Sequence, residues 1–440
     1  MEDSSPADDG RRARLIAAAI IEDVLRRALP LDETLDRTLA ASDLETRDKG
    51  LVRAIVTVAV RHSGVIRKAI EARLANGIWP KAGRFPALMI GATAQLLFLD
   101  VPDHAAVSTA VDCIGEDRES RPFAKLANAV LRRIAREKDT ILAAIDPLRD
   151  DTPPWLAERW IFTYGAEKAH AIAAAHGHEP SIDLWAKADP ALWADKLGGV
   201  LMPTGSIRLQ SREAIPSLEG YKEGAWWVQD AAASLPALLL AVQPGETVAD
   251  LCAAPGGKTA QLANAGAQVL AVDRSAPRMK RFAANMERLG FAVETRIADA
   301  GQLEAGPFDA ILLDAPCSAT GTIRRHPDVA WSKTEADIAK LAALQRRLLD
   351  HAASLLKAGG RLVYCTCSLE PEEGENQIAA FLVRHPEMER VPVLPGQIPG
   401  LDPFLSPEGD IRTTPDGWPN PDPRLAGLDG FFASRLRKRG

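Results

Sequence analysis

Apolar residues in the first third of the chain recur every three to four positions, as Ile16, Ile20 and Val24 do. This spacing places them on one face of an amphipathic helix. The pattern repeats through several segments, with glycine and proline between them. We therefore predict packed helices and no strand over residues 11–140, preceded by a polar, disordered segment at residues 1–10.

The pattern changes after the Pro-Pro pair at residues 153–154. Residues 155–180 still have a helical pattern, and short apolar runs separated by turns follow, which indicates strands. We predict a small α+β unit over residues 150–235, with strands at residues 182–186, 207–209 and 226–229.

From residue 246 onward, short apolar runs alternate with longer helical patterns. This alternation is typical of a parallel, doubly wound α/β sheet, which we predict over residues 236–440. The predicted strands are residues 247–251, 268–272, 293–297, 309–313 and 361–365, with a closing hairpin of residues 410–414 and 430–436.

A glycine-rich turn follows the first of these strands, in the sequence Val248-Ala-Asp-Leu-Cys-Ala-Ala-Pro-Gly-Gly-Lys-Thr259. It predicts a strand, a tight turn without Cβ atoms and the start of a helix, where free N–H groups can meet a ligand. A triphosphate-binding loop would need glycine five positions before Gly257, where this chain has Cys252, so we exclude that motif.

Composition and charge argue against several classes of function. The 440-residue chain has a formal net charge of −6, which disfavours indiscriminate nucleic-acid binding, so any RNA contact must come from local patches. Its apolar runs are too short to span a bilayer and its N-terminus is polar, so we expect a cytoplasmic protein without a membrane partner. His176 and His178 lack a third nearby ligand, which favours loop histidines, and we expect no metal.

Three predicted strands end in aspartate, at Asp273, Asp299 and Asp314. Ligands of such sheets bind at the carboxyl ends of the strands. A single aspartate there is usually a helix cap, but three around one glycine-rich turn favour a ligand. Carboxylates would accept hydrogen bonds from ribose and adenine and would repel phosphate, and S-adenosylmethionine fits that description.

Two cysteines, Cys317 and Cys367, follow the fourth and fifth predicted strands. If these strands are neighbours, both thiols share one pocket with the methyl donor. A thiolate that adds to carbon 6 of a pyrimidine makes carbon 5 nucleophilic, and a base must then remove the carbon-5 proton. Cys365 is either core or pocket lining, whereas we interpret Cys113 and the side chain of Cys252 as small buried hydrophobes.

Four motifs resemble those of the Sun/NOP family of RNA cytosine-5 methyltransferases. They are residues 250–259, Asp314-Ala-Pro-Cys-Ser-Ala-Thr-Gly321, Arg324-Arg-His-Pro-Asp328 and Thr366-Cys-Ser368. The front of the chain, with the helix at residues 122–136, resembles the RNA-binding NusB family, and the ending Asp429-Gly-Phe-Phe432 is similar to the RsmB branch that modifies bacterial 16S rRNA. The resemblance implies a Rossmann-like class I methyltransferase domain, preceded by the small α+β unit and an all-α NusB-like domain.

The resemblance also implies roles for single residues. Cys367 would attack carbon 6, Cys317 would help to release the product as a base or through a bound water, and Asp314 would bind the cytosine's Watson–Crick edge close to the donor. The donor itself would be held by Cys252, Ala253, Ala254, Pro255, Gly256, Gly257, Lys258, Asp273, Asp299 and Asp314. Lys258 can equally be a surface lysine that orients the turn.

RNA contacts are expected from two basic groups. Arg324, Arg325 and His326 would meet the RNA backbone near the active site. Lys125, Arg132 and Arg133 would face RNA on the NusB-like helix, or form only a solvated basic face.

The implied activity is methylation of cytosine 967 of 16S rRNA by a monomeric enzyme. Family members usually carry an Arg-x-Asn strand followed by Lys in the small unit, where this chain has Ile182-Asp-Leu-Trp-Ala-Lys187. The alternatives are the same chemistry on another rRNA site or tRNA, DNA cytosine methylation with Cys317 as the attacking thiol, and a non-catalytic assembly or transcription factor.

Overall fold

The computed structural model describes residues 6–74, 82–211 and 213–440. The chain divides into two compact units. One consists of residues 1–177 with 325–333, and the other of residues 178–324 with 334–440.

The described part of the first unit is built of helices. They are α1 (Pro6–Arg27), α2 (Leu31–Ala40), α3 (Thr46–Arg61), α4 (Ser63–Glu71), α5 (Phe85–Phe98), α6 (Asp103–Glu116), α7 (Ala124–Arg136), α8 (Lys138–Ala143), α9 (Pro147–Asp150), α10 (Pro154–Tyr164), α11 (Ala166–His176) and, from the later segment, α16 (Asp328–Ser332). Helix α5 is buried on nearly every side, which makes it the centre of the bundle.

Two boundaries differ from those that the pattern predicted. Helix α1 begins at Pro6, within the segment expected to be disordered, while residues 1–5 lie outside the described residues. Helices α10 and α11 belong to the helical unit, whereas we had placed them with the small strands. Pro-Pro pairs mark loops, but the loop here separates two helices of one compact unit.

Residues 325–333 are held within the helical unit by side chains of their own. Leu31 donates its N–H to Asp328 at 3.2 Å, and the indole N–H of Trp331 donates to the carbonyl of Val60 at 2.9 Å. The sequence pattern alone had placed this segment in the α/β domain.

The second unit contains a small antiparallel sheet. Its strands are β1 (Asp183–Ala186), β2 (Gly199–Leu201), β3 (Ile207–Leu209) and β4 (Trp226–Val228), and helix α12 (Pro190–Lys196) lies between the first two in sequence. The order of the strands in the sheet is β2-β3-β1-β4. Three of these strands were predicted, and β2 was missed.

The strands of the larger sheet are β5 (Thr247–Leu251), β6 (Gln268–Asp273), β7 (Glu294–Ile297), β8 (Phe308–Asp314), β9 (Leu356–Thr366), β10 (Met388–Arg390), β11 (Ile411–Thr413) and β12 (Phe431–Lys438). Their order in the sheet is β10-β12-β9-β8-β5-β6-β7, and β11 also pairs with β12. Its helices are α13 (Ala231–Leu240), α14 (Gly257–Asn264), α15 (Ala276–Leu289), α17 (Glu335–Ser354) and α18 (Glu375–Arg384).

Strands β7, β6, β5, β8 and β9 are parallel, and β12 joins them antiparallel, so the predicted doubly wound sheet and its closing hairpin are confirmed. Both faces of the sheet are covered. On β8, Ile311 and Leu313 pack into one apolar cluster, and Ala310 and Leu312 into another. This alternation follows from the two-residue period of a strand that is buried on both sides.

Candidate active site

The glycine-rich turn leaves β5 through backbone conformations that few residues adopt. Cys252 has a φ of 66° and Gly256 a φ of 108° directly before α14. A Cβ on Gly256 would lie 2.9 Å from both Met286 Cε and Phe282 Cδ2. The sequence therefore needs glycine at this position, and the turn presents its backbone at the carboxyl end of β5.

Asp250, near the end of β5, is completely buried, and we had not singled it out. Thr259 donates its hydroxyl to Oδ2, while Oδ1 has no hydrogen-bond partner among the described residues. Burial raises the pKa of Asp250 to about 7, against the opposing hydrogen bond from Thr259. Its carboxyl group therefore carries a proton for much of the time at neutral pH.

Asp273 ends β6 and lies against the glycine-rich turn, as predicted. Its carboxylate accepts the N–H of Ser275 at 2.9 Å and that of Ala254 at 3.3 Å, and Arg278 lies 3.3 Å away. Only 3% of Asp273 is exposed. These contacts fix an anionic oxygen beside the turn, where a ribose hydroxyl could donate to it.

Asp299 follows β7 and is the most solvent-exposed of the three strand-end carboxylates. Its oxygens accept the N–H of Gly301 at 2.8 Å and pair with Arg347 at 3.0 Å. These hydrogen bonds, and Arg347, hold its pKa below the usual value. It is thus a helix-capping anion, and its contact with adenine stays a prediction.

Asp314 ends β8 and is held by two groups. Lys258 donates to Oδ2 at 2.7 Å, and the thiol of Cys365 donates to Oδ1 at 3.5 Å. The Lys258 ammonium also lies 5.2 Å from the ring centre of Phe431. Burial lowers the pKa of Lys258, but the charge and hydrogen bond of Asp314, together with the nearby Cys365 and Cys367, raise it overall. Lys258 therefore points inward to the site, and the alternative of a surface lysine is wrong.

The thiols of Cys317 and Cys367 lie 3.4 Å apart. Their contact follows from the sheet, because β8 and β9 are parallel neighbours with Asp314 opposite Cys365, so the next few residues of each strand leave the sheet side by side. Both cysteines are half-buried, whereas Cys365 is fully buried. Cys252 is also half-buried, so our interpretation of it as a buried residue holds only in part.

Each thiol of this group has its own electrostatic environment. The hydrogen bond to Cys367, together with burial, raises the pKa of Cys317 well above its ordinary value. Burial, followed by the charge of Asp314, does the same for Cys365. Burial also raises the pKa of Cys252. Cys317, Cys365 and Cys252 are therefore neutral thiols, and Cys317 shares a hydrogen bond with Cys367.

A buried network behind the two cysteines was not predicted. The N–H of Ser318 donates to both carboxylate oxygens of Glu373, at 2.9 and 3.1 Å, and the hydroxyls of Ser318 and Ser368 lie 3.0 Å apart. Glu373 lies in a Pro-Glu-Glu-Gly turn, which reads as solvent-exposed in sequence. The sequence feature that could have indicated this network is the serine that follows each of the two cysteines.

The expected RNA-binding residues differ in accessibility. Lys125, Arg132 and Arg133 are exposed on α7, which buries its opposite, apolar face. Arg325 is exposed, and His326 lies 3.0 Å from Asp32.

Arg324 departs from its expected placement. It is only 2% exposed and donates to the carbonyl of Ala426 at 2.6 Å. This placement favours a structural role for Arg324 over the expected phosphate contact.

The strand that replaces the Arg-x-Asn motif carries a buried ion pair. Asp183 on β1 binds Arg208 on β3 through two hydrogen bonds of 2.7 and 2.8 Å, and Arg208 also donates to the carbonyls of Leu425 and Gly427. Lys187 donates to the carbonyl of Leu289. These charges are used within the fold.

Two further features are absent from the described residues. No helix there combines the length and apolar character that crossing a bilayer requires. No three His, Cys, Asp or Glu side chains of that part of the chain are grouped as a metal ion would need.

The chain is similar to proteins of known family. The family described as "16S rRNA methyltransferase RsmB/F" matches residues 237–437, and the NusB family matches residues 11–136. The protein named ribosomal RNA small subunit methyltransferase B from Shewanella oneidensis is 34% identical, over 97% of this chain and 99% of its own length.

Solved structures agree with this match. The structure titled PH0851 covers 100% of both chains with a TM-score of 0.74 at 27% identity. A methyltransferase homolog from Pyrococcus horikoshii covers 68% of this chain and 98% of its own, with a TM-score of 0.54 at 30% identity. The predicted fold class is confirmed, and the chain belongs to the RsmB/F family of 16S rRNA methyltransferases, with a NusB-family domain at its N-terminus.

Proposed function

We propose that this chain is the enzyme that methylates carbon 5 of cytosine 967 in 16S rRNA, with S-adenosylmethionine as the methyl donor and a covalent bond between Cys367 and carbon 6 of the base. The observation that carries the proposal is the 3.4 Å separation of the Cys317 and Cys367 sulfurs at the carboxyl ends of β8 and β9. Membership of the RsmB/F family supports the substrate class.

The residues around the glycine-rich turn fit the donor. S-adenosylmethionine supplies an electrophilic methyl group when bound. The turn from Cys252 to Lys258 follows the carboxyl end of β5, and Asp273 beside it offers a buried carboxylate for ribose. Asp299 is proposed for adenine. The carboxylates of Asp273 and Asp314 also suit a ligand with a positive charge and no phosphate.

The first step assigns Cys367 as the nucleophile. Its thiolate adds to carbon 6 of cytosine, the 5,6 double bond shifts its electrons toward carbon 5, and carbon 5 then takes the methyl group, whose bond to the donor sulfur breaks. Asp314 would hydrogen-bond the Watson–Crick edge of the base and favour protonation at nitrogen 3, which balances the negative charge that the attack pushes onto the ring. Lys258 holds Asp314 in place in the resting enzyme, and its ammonium group also stabilises a thiolate at Cys367.

The release step assigns Cys317. The carbon-5 proton passes to a water molecule, the electrons of that C–H bond restore the double bond, and Cys367 leaves as a thiolate. Because its pKa is raised, Cys317 is protonated at neutral pH, and its S–H donates to the departing sulfur across 3.4 Å. This favours a role through water over direct proton removal by Cys317.

RNA is proposed to contact the exposed cations Lys125, Arg132 and Arg133 on α7, and Arg325 with His326. The target cytosine must be unstacked, because a duplex hides carbon 5 from any pocket. We also propose that the enzyme is a monomer and acts in the cytoplasm.

Trapping with 5-fluorocytosine RNA tests the mechanism, because fluorine at carbon 5 blocks release. We expect the unaltered enzyme to form a covalent adduct and the Cys367→Ala variant to form none. The Cys317→Ala variant should form a covalent adduct even with RNA that contains ordinary cytosine, because release of the product is blocked. An adduct that depends on Cys317 and survives Cys367→Ala would instead support attack by Cys317, as in DNA cytosine methylation.

Mapping of 5-methylcytosine in total RNA from a deletion strain tests the substrate. We expect loss of the single methyl group at cytosine 967 of 16S rRNA and its return with the intact gene. Loss at a tRNA or another rRNA position would assign the same chemistry to that RNA. An unchanged methylation map would contradict the enzyme assignment and favour a role in assembly.

A further inference from the structure

Each of the two central cysteines is followed by a serine whose side chain is buried. Ser318 and Ser368 are fully buried, and their hydroxyl oxygens lie 3.0 Å apart. The hydroxyl of Ser368 also accepts the N–H of Glu370 at 3.0 Å. The contact between the loops of Cys317 and Cys367 therefore continues behind the sulfurs as a buried polar contact.

Glu373 is the anion on which this polar contact converges. It is completely buried, and its carboxylate accepts the N–H and the hydroxyl of Ser318 and the amide of Gln345 at 3.0 Å. Gln345 donates to the carbonyl of Pro316 at 2.9 Å as well. The loop that carries Cys317 is thus bound on both sides of the cysteine, at residues 316 and 318.

The backbone of Glu373 is fixed to the strand that carries Cys367. Its carbonyl accepts the hydroxyl of Tyr364 at 2.8 Å and that of Thr366 at 3.2 Å, and both residues lie on β9. A buried carboxylate is costly unless its hydrogen bonds are satisfied. The carboxylate of Glu373 is satisfied by neutral donors, and most of them belong to the loop that carries Cys317. Glu373 therefore fixes the position of that loop.

We propose that Glu373 is a positioning residue that holds the thiol of Cys317 against that of Cys367. It joins the two loops through Ser318 and Ser368 and is anchored on β9. This inference rests on the proposed function for its consequence in catalysis, because the paired thiols matter only if both act on one base.

The charge of Glu373 has a second effect on the same pair. The hydrogen bond with Cys367 and burial are the main causes of the raised pKa of Cys317, and the negative charges of Cys367 and Glu373 add to them. Glu373 therefore helps to keep Cys317 a neutral thiol, which can act as a hydrogen-bond donor.

The test uses the full chain and a reagent that reports sulfur–sulfur proximity without RNA. Dibromobimane becomes fluorescent when both of its arms react with neighbouring thiols, and peptide mapping identifies the Cys317–Cys367 product. In Glu373→Gln we expect the yield of this product to fall at least about threefold, while S-adenosylmethionine affinity changes less than about twofold. Glu304→Gln, which removes the same charge from an exposed residue of the same unit, should match the unaltered protein.

Kinetics on 16S rRNA provide the second readout. We expect kcat of Glu373→Gln to fall about tenfold with an unchanged KM, since misplacement of reacting groups affects the chemical step. If that variant does not fold, Ser318→Ala decides, because it removes one hydroxyl and keeps the N–H bond to Glu373; we expect a smaller fall in both readouts. Undiminished cross-linking in the folded variant would overturn the inference. If the cross-linking yield falls in Glu373→Gln as expected but the unaltered protein does not methylate 16S rRNA, the inference about Glu373 stands and the proposed function is overturned.

Discussion

Asp314 and Cys365 occupy paired positions on the parallel strands β8 and β9, and the thiol of Cys365 donates to Asp314 at 3.5 Å. This register determines which residues leave the two strands together. Cys317 lies three residues beyond Asp314 and Cys367 two residues beyond Cys365, so their sulfurs meet at 3.4 Å. A shift of one residue would turn the side chains of one strand to the opposite face and separate them.

The Lys258–Asp314 pair should matter more than an equal pair at the other end of the same strand. Lys258→Met leaves a mostly buried carboxylate without its cation, and we expect a loss of about 1–3 kcal/mol in unfolding free energy. We also expect methylation to fall by about tenfold or more. Urea titration and methyl transfer to 16S rRNA measure the two effects.

Lys357→Met is the matched control, because Lys357 pairs with Asp309 at the same 2.7 Å but is 42% exposed. It should cost at most about 1 kcal/mol and leave methylation unchanged. Equal effects of the two substitutions would contradict a special role for Lys258.

The parts of the site that lie at strand ends were predictable from the sequence. Parallel strands place their carboxyl ends at one edge, so Asp273, Asp314, Cys317 and Cys367 could be assigned to one pocket before their distances were known. For the two cysteines, the prediction needed only that β8 and β9 be neighbours. That single assumption proved correct.

The burial of charged residues, and the partners that they bind, could not be predicted from the sequence. Glu373 stands in a turn of charged residues and Arg324 in a run of cations, and local patterns of this kind indicate solvent exposure. Both are buried because distant segments cover them: Ser318 binds Glu373 from 55 residues away, and Ala426 binds Arg324 from 102 residues away. Such contacts depend on tertiary structure, which no periodicity encodes.

Asp250 should make the stability of the protein depend on pH in an unusual direction. Its pKa is about 7 in the folded protein and about 3.9 in the unfolded chain. Between these values the folded state binds more protons, so stability falls as the pH rises from about 4 to about 7. Relative to Asp250→Asn, whose side chain does not titrate, the unaltered protein should lose about 2–3 kcal/mol between pH 5 and pH 8.

Urea unfolding of both proteins at the two pH values, without S-adenosylmethionine, measures this difference. If the two proteins lose the same stability over this range, Asp250 is ionised in the fold and the prediction fails.

Gly321 should not tolerate a side chain. A Cβ at this position would lie 1.9 Å from the carbonyl oxygen of Gly430, whose N–H donates to Gly321 at 2.8 Å. Because both contacts are backbone, Gly321→Ala must displace the loop after Cys317, and we expect a loss of about 1–3 kcal/mol. Thermal unfolding and 5-fluorocytosine trapping should both report the change.

Gly50→Ala is the corresponding control in the helical unit, since nothing lies within 4 Å of a Cβ there. In the interior of α3 it should stabilise by about 0.5–1 kcal/mol. A Gly321→Ala protein as stable as this control would show that the close approach to Gly430 is absent.

The buried pair of Asp183 and Arg208 gives the last prediction. Their side chains are 1% and 3% exposed, and removing one partner of such a pair leaves an uncompensated charge. We expect Arg208→Met to cost about 3–5 kcal/mol of unfolding free energy. Asp183→Leu combined with Arg208→Met removes both charges, so it should cost less than Arg208→Met alone. A double variant less stable than either single variant would show instead that the pair itself contributes most of the energy.

If the strand has exchanged the RNA-facing residues of the family for this structural pair, the folded double variant should keep its affinity for 16S rRNA, and a loss of affinity at unchanged stability would show that β1 contacts RNA.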